Sequence, residues 1–224
     1  MSKTKEIIKS ILPVFVLFGA VLVSLVFYNV YVRSTPFFTT SSPAGTYMVN
    51  LTGQKERPHI FTVEVRFNVL KNGKPFWSDQ YLHSGDAFDL SFEVGYPDCR
   101  WLGENILRFY HEKDFNAGKP QVVIVVNKTE RLIKYLKVEA DPTDKFLLFD
   151  VQPKSEARLL VSPPKGDYEV LSVEGKFYEG RIFDDSADFK IDKGINEPFT
   201  YYIYITDDSL KIESPQLEKY RGTN

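Results

Sequence analysis

Apolar positions dominate one long segment near the start of the chain. No charged residue occurs from Ser10 to Val32, and most side chains from Ile11 onward are apolar. As a helix, this segment would be roughly 33 Å long, which is enough to cross the hydrocarbon core of a bilayer. The pattern therefore predicts a transmembrane helix over residues 11–32, with the lipid bilayer as its partner.

A cleavable signal peptide is the alternative interpretation of this segment. Signal peptides normally have a shorter apolar region that ends in small residues at the cleavage site. Here the apolar run ends in Tyr28 and Tyr31, which are bulky and typical of the interfacial belt of membrane helices. The sequence therefore favours an uncleaved signal anchor.

The charges that flank the apolar segment predict its orientation. Lys3, Lys5 and Lys9 precede it, whereas only Arg33 follows closely. Because positive charge is enriched on the cytoplasmic side of membrane helices, residues 1–10 are expected in the cytoplasm. The predicted localisation is the inner or plasma membrane, with the rest of the chain periplasmic or extracellular.

Ala20 and Ser24 lie four positions apart in this segment, next to Gly19. Small residues at this spacing let two helices approach closely. Ala20 and Ser24 are therefore a candidate helix-packing face. The alternative is that they are incidental, since small residues are common in membrane helices.

The pattern changes to a period of two after residue 45. A Ser-, Thr- and Pro-rich segment, 33–44, is predicted to be a linker. Every second residue from Phe61 to Val69 is then apolar, as in a half-buried strand. This strand ends at Asn72-Gly73, the strongest short signal for a hairpin turn.

Similar short strands fill the remainder of the chain and form two groups. The first group is Thr46–Leu51, Ile60–Leu70, Phe76–Leu82, Phe88–Val94 and Ile106–Tyr110. The second group is Val122–Val126, Ile133–Val138, Phe146–Phe149, Arg158–Val161, Tyr168–Val173, Lys176–Phe183 and Phe199–Thr206. Many short strands separated by turn residues favour a sandwich or a barrel.

The predicted fold class is all-β, with one N-terminal transmembrane helix followed by two immunoglobulin-like β-sandwich units. The first unit is expected over residues 45–112 and the second over residues 121–207. A polar linker, 113–120, separates them, and a polar tail, 208–224, follows. The cysteine pair and the core tryptophan of true immunoglobulin domains are missing, so the likeness is one of strand number and spacing.

Composition limits the classes of function. The net charge is −2, and the basic residues form no stripe of the kind that phosphate backbones require, which argues against a nucleic-acid partner. The chain has one cysteine, Cys99, so no internal disulfide supports the fold. Since many exported domains depend on disulfides, this favours a bacterial envelope protein.

The candidate chemical motifs are weak. His83, Ser84 and Asp86 are too close in sequence to converge as a triad, and a turn after a strand explains them. His59 and His111 are not at zinc-motif spacing. An acidic cluster over residues 184–188, with Asp192, could suit calcium, but a solvated acidic turn is favoured. The sequence therefore predicts no catalytic residue, no metal and no cofactor.

The leading functional interpretation is a membrane-anchored, non-enzymatic protein of the cell envelope that acts by binding or assembly. An accessory subunit of a membrane protein complex is one alternative, and a hydrolase or metal-dependent enzyme built from loops is another. The partners would then be other envelope or membrane-complex proteins.

In the strand Phe199–Thr206, Tyr202 and Tyr204 fall on the less apolar face, opposite the core. They are predicted to contact the first β unit or a partner protein, with ordinary surface tyrosines as the alternative.

Overall fold

The computed structural model describes residues 13–25, 36–53, 63–85, 98–110, 120–140, 144–162, 168–190 and 199–216. Residues 13–25 form a helix, α1. The strands are β1 (Pro36–Ser41), β2 (Tyr47–Gly53), β3 (Val63–Lys71), β4 (Lys74–Gly85), β5 (Asp98–Trp101), β6 (Ile106–Tyr110), β7 (Gln121–Asn127), β8 (Ile133–Ala140), β9 (Asp144–Val151), β10 (Ser155–Val161), β11 (Tyr168–Phe177), β12 (Ile182–Lys190), β13 (Thr200–Ile205) and β14 (Leu210–Glu213).

The chain divides into two compact units. The first comprises residues Met1–Thr40 and Met48–Ser91, and the second comprises Ser41–Tyr47 and Phe92–Asn224. Strand β6 pairs with β9 and therefore belongs to the second unit. Its predicted place in the first group was wrong, because alternation identifies a strand but not its hydrogen-bonded neighbour.

The first unit contains a four-stranded sheet in the order β1-β2-β3-β4. The predicted hairpin turn is confirmed, since Asn72 and Gly73 both have positive φ, 51° and 74°, as a two-residue hairpin requires. Strand β1 lies inside the segment 33–44 that was predicted to be a linker. Phe and Thr are good strand formers, so Ser and Pro nearby did not prevent pairing with β2.

The second unit contains two sheets that share one hydrophobic core. A four-stranded sheet has the order β10-β7-β13-β14, and a six-stranded sheet has the order β12-β11-β8-β9-β6-β5. Val125 and Ile203 of the first sheet pack in one cluster with Val138, Leu148 and Leu171 of the second. The prediction of a mostly β chain with sandwich-like layering is thus confirmed for this unit.

Strand β11 runs through a position where the sequence suggested a break. Gly175 lies inside the strand, and a Cβ atom there would come within 2.4 Å of Cζ of Phe183 and 2.8 Å of a methyl of Leu136. The glycine therefore permits close packing rather than a turn. The turn lies at residues 178–181, so the predicted strand Lys176–Phe183 was wrong.

Two further differences concern the end of the chain. The acidic residues 184–188 lie on strand β12 and not in a loop, and β14 forms inside the segment 208–224 that was predicted to be a polar tail. Both strands are edge strands, where charged residues are common because they discourage pairing with other chains.

Asn127 closes one end of the second unit from the end of β7. Its side chain is fully buried. Its Nδ2 donates to the carbonyl oxygens of Arg131 and Gln152 at 3.0 and 2.9 Å. Its Oδ1 accepts hydrogen bonds from the amide and the hydroxyl of Thr129 at 3.1 and 2.8 Å. This single amide thereby satisfies backbone groups of two connecting loops.

Helix α1 covers part of the predicted transmembrane segment 11–32, and the rest of that segment lies outside the described residues. Among the helices that the structure describes, none combines the length and the apolar character needed to cross a membrane. The predicted strand Phe88–Val94 and most of the predicted linker 113–120 also lie outside the described residues.

Candidate interaction surface

The predicted faces of β13 are confirmed. Tyr201, Ile203 and Ile205 are buried in the shared core, as expected. Thr200, Tyr202 and Tyr204 alternate with them and are half-buried on the opposite side. The two candidate tyrosines therefore lie on the outward face of the four-stranded sheet.

Strand β7 is apolar on both of its faces. Val123 and Val125 point into the core. Ile124 and Val126 point to the opposite face beside β13, where Ile124 is 5% exposed and Val126 is half-buried. The strands are parallel, and their register places Ile124 opposite Tyr202 and Val126 opposite Tyr204. An aliphatic column and an aromatic column thus lie side by side on the outward face.

Strands β10 and β14 complete this surface, which we call the tyrosine face. One row across the sheet joins Arg158, Ile124, Tyr202 and Glu213, and the next row joins Glu156, Val126, Tyr204 and Lys211. Leu160 extends the aliphatic part, and its side chain is half exposed.

The two tyrosine rings form an ordered stack. Their centroids are 5.7 Å apart and their planes differ by 9°. The ammonium of Lys128 lies 3.6 Å from the centroid of the Tyr204 ring. Partial burial, the Glu213 carboxylate and the neighbouring Tyr202 all raise the pKa of Tyr204. The stack presents two rigid rings with polar tips, a combination that suits protein interfaces.

The edges of the tyrosine face carry charges of alternating sign. Arg158 and Glu156 pair at 3.5 Å along β10. Lys211 and Glu213 form a second ion pair along β14. Both pairs are neutral overall, and Lys128 over the Tyr204 ring adds one positive charge, so the surface has an apolar centre and a charged rim. This is the usual composition of a protein–protein interface.

The residues proposed for calcium do not converge. Asp184 and Asp185 are successive residues of β12, and successive side chains of a strand point to opposite faces. Within the described residues no three acidic, histidine or cysteine side chains are placed to hold a metal ion. Asp192 lies outside those residues.

An open cleft of about 520 Å³ lies beside these aspartates, on the outward face of the six-stranded sheet. Lys137 lines it and pairs with Glu174 at 3.3 Å and with Glu139 at 3.7 Å. Burial opposes ionisation of Glu139, but Lys145 at 2.8 Å and Lys137 lower its pKa overall. A general base needs a pKa raised toward neutrality, so this network has the properties of a structural ion cluster.

Sequence reasoning missed a second polar cluster in this unit. The hydroxyls of Tyr47 and Tyr178 both donate to the carboxylate of Asp150. Burial and this bond raise the pKa of Tyr47. Asp150 has a φ of 50°, which Asp tolerates better than most residues. The three residues are far apart in sequence, and no motif connects them, so the pattern gave no signal for this cluster.

The predicted turn after β4 is corrected in part. The backbone of His83, Ser84 and Gly85 continues the strand, while Asp86 lies outside the described residues. His59 and His111 also lie outside them. Cys99 is half-buried on β5, as its small, weakly polar side chain favours.

Helix α1 is apolar around its whole circumference and lies open to the surroundings. Large apolar side chains on every side of it are half to two-thirds exposed: Val14, Phe15, Val16, Leu17, Phe18, Val21, Leu22, Val23 and Leu25. Ala20 and Ser24 are also exposed, one turn apart. The helix-packing role of these two residues stays a prediction.

Comparisons with known proteins add little. No protein-family model and no curated protein matches the chain. Among solved structures, an NMR structure of a protein from Eubacterium rectale matches with a TM-score of 0.32 and 14% identity, over 45% of this chain and 92% of that chain. A likeness this weak carries no argument about fold or function.

Proposed function

We propose that this protein is a membrane-anchored, non-enzymatic component of the cell envelope whose β-rich part acts by binding or assembly on the extracytoplasmic side. The observation that carries the proposal is the exposure of helix α1. A helix that is hydrophobic on all sides is stable only inside a protein core or a membrane. Its nine large apolar side chains are exposed in the structure, which fits a lipid environment.

The length of the anchor is part of this proposal. At the helical rise, residues 13–25 extend about 20 Å, which is less than the roughly 30 Å of a bilayer core. The proposed membrane helix therefore spans the whole apolar segment 11–32. Its flanking lysines would hold the N-terminus in the cytoplasm.

The binding role is supported by the tyrosine face. The outward faces of β-sandwiches are usually polar, whereas here Ile124, Val126, Tyr202 and Tyr204 occupy the centre of the sheet.

The finer architecture also remains a proposal: two immunoglobulin-like units, of which the first would need a second sheet beyond its described four strands.

Membrane extraction tests the anchor. The wild-type chain should stay with membranes after washing at alkaline pH. Replacing Val16 and Val21 with Lys should release it, because each lysine at a helix centre opposes insertion by about 2.5–3.5 kcal/mol.

The matched control places the same two lysines on the globular surface. Val170→Lys and Ile182→Lys change exposed apolar side chains of the second unit and should leave the chain in the membrane. A wild-type chain that alkaline washing removes would contradict the anchor.

An accessory subunit of a membrane complex is the second candidate. The exposure of Ala20 and Ser24 at helix-packing spacing favours it. Replacing the apolar segment with poly-Leu separates the two functions. A simple anchor keeps its role after this exchange, whereas a subunit that uses specific helix contacts loses its association with the complex.

A further inference from the structure

We infer that the tyrosine face binds the tyrosine face of a second copy of this chain, related by a two-fold axis parallel to strands β7 and β13. Two-fold dimers are the commonest oligomers of soluble proteins, and their interface must be complementary to itself. The charges and the shape of this face both meet that condition.

The charge pattern of the rim is self-complementary. Arg158 and Glu213 end one row of the sheet, and Glu156 and Lys211 end the next row. The sign thus alternates around the four corners. A two-fold rotation about an axis parallel to the strands exchanges left and right within each row. It therefore brings Arg158 against Glu213 of the second copy, and Glu156 against Lys211.

A foreign partner would need a matching pattern of its own. An acidic or a basic surface would attract two of the four corners and repel the other two, because the pairs Arg158–Glu156 and Lys211–Glu213 are each neutral. Electrostatic complementarity selects partners mainly by excluding such mismatches. A second copy of this chain carries the matching alternation of charges on its own tyrosine face.

The shape of the face selects the direction of the axis. A two-fold axis in the plane of the interface but perpendicular to the strands would also place unlike charges opposite each other. It would, however, place tyrosine rings directly against tyrosine rings. The parallel axis instead places Tyr202 over Ile124 of the second copy and Tyr204 over Val126, since those columns are neighbours in the sheet. Aromatic side chains of one copy then face aliphatic side chains of the other, as in the packing of two aligned sheets.

The test uses the full chain in a mild nonionic detergent, with the dimer dissociation constant measured by sedimentation. Arg158→Glu places like charges together at two symmetric sites and should weaken the dimer about tenfold or more. Glu213→Arg should do the same from the other edge. Lys176→Glu, the same charge change on the outward face of the other sheet, should leave the constant unaltered.

Mixing the two defective variants is the decisive step. In a mixed pair, Glu at 158 meets Arg at 213, and the native Glu213 of one copy meets the native Arg158 of the other. The mixture should therefore recover wild-type affinity to within about threefold, while each variant alone stays weak. Recovery also shows that both variants are folded. The perpendicular axis predicts no recovery, because Glu at 158 would then meet Glu156.

Several results would overturn this inference. One is a wild-type chain that remains monomeric, which would leave the face to a different protein. Another is a dimer that both charge reversals and Tyr202→Ser with Tyr204→Ser leave intact, which would place the contact elsewhere, for example on helix α1. A mixture without recovery would equally exclude this arrangement.

The dimer is one form of the proposed binding role, but it does not depend on the anchor. Alkaline extraction reports only on the membrane helix, whereas sedimentation in detergent reports only on the face. The two experiments therefore distinguish failure of the membrane anchor from failure of the dimer.

Discussion

Single carboxylates organise local backbone in this protein, and Glu104 is the clearest case. Its Oε1 accepts a hydrogen bond from the Ser42 hydroxyl at 2.5 Å, and its Oε2 accepts one from the Ala44 amide at 2.7 Å. The Thr46 amide adds a third at 3.2 Å. The Ser42 and Ala44 bonds are the strongest influences on the pKa of Glu104, which they lower to about 2.

Replacing Glu104 with Gln should destabilise the segment Ser41–Tyr47 at neutral pH and have no effect in strong acid. The folded pKa of about 2 lies below the ordinary value of 4.5. Stabilisation by the ionised group is therefore complete above pH 4.5 and is lost as the pH falls toward 2. Melting temperatures of the two proteins should converge over this window.

NMR titration of the Glu104 carboxyl carbon measures the same pKa directly. Glu130→Gln is the control, because the Glu130 side chain is largely exposed in its pair with Lys154. A titration midpoint near 4.5 for Glu104 would contradict the role of the three donors.

At this scale the sequence predicts which way a side chain points but not which group it meets. Alternation placed Tyr201 and Ile203 in the core and Tyr202 and Tyr204 outside, as the structure has them. The three donors to Glu104 lie about 60 residues away, and nothing in the pattern of a short loop before a strand reveals them. Such contacts depend on which strands become neighbours.

Strands of the second unit are joined by a buried ion pair as well as by the apolar core. Arg108 on β6 donates from Nε and Nη2 to the two carboxylate oxygens of Asp144 on β9, at 2.8 and 2.7 Å. The amide of Ser162, just after β10, donates to the same carboxylate at 2.6 Å. Both charged side chains are buried. One carboxylate thus connects three strands in a region with little solvent.

Asp144→Ala should destabilise the second unit by about 3–5 kcal/mol, because it removes the carboxylate that neutralises the buried Arg108 charge. The Ser162 amide would lose its acceptor as well. Replacing both charges, with Arg108→Met and Asp144→Leu, should be much milder. Urea unfolding monitored by tryptophan fluorescence and circular dichroism gives both values.

Asp184→Ala is the matched control for this change, since Asp184 is an exposed residue of edge strand β12. It should cost less than about 0.5 kcal/mol. A double variant as unstable as Asp144→Ala would contradict this expectation. The ion pair itself would then stabilise the fold, and the cost of Asp144→Ala would not come from the Arg108 charge alone.

At the element scale, periodicity identified most described strands but not their neighbours. Strand β7 was predicted from its continuous apolar run, which reflects a core face that is fully buried and an outward face that is partly covered. Strand β12 was missed because its aspartates have the composition of a loop. The predicted strands Tyr168–Val173 and Lys176–Phe183 left a break at Gly175, whereas in the structure this glycine packs tightly against Phe183 of the neighbouring strand. A local pattern does not reveal that strand pair.

At the scale of the whole molecule, the proposed topology places everything after residue 32 outside the cytoplasm. Three lysines before the apolar segment and one arginine close behind it motivate this orientation. A periplasmic reporter enzyme fused after Asn224 should therefore be active, and a cytoplasmic reporter at the same site should be inactive.

Moving the charges supplies the control for this measurement. Replacing Lys3, Lys5 and Lys9 with Asn and adding lysines after Arg33 should reduce the activity of the periplasmic fusion. A wild-type fusion that is active only in the cytoplasm would reverse the orientation and remove the basis for an extracytoplasmic binding role.

The buried amide of Asn127 has a practical consequence for production of the protein. Asn127-Lys128-Thr129 is an acceptor sequence for N-linked glycosylation, which attaches sugar to the side-chain nitrogen. In the folded chain that nitrogen is inaccessible and donates to two loop carbonyls. A eukaryotic secretory host could therefore modify it only before folding, and a sugar there would exclude the native loops. Folding and oligosaccharide transfer would compete for one nitrogen atom, so a bacterial host is the better choice.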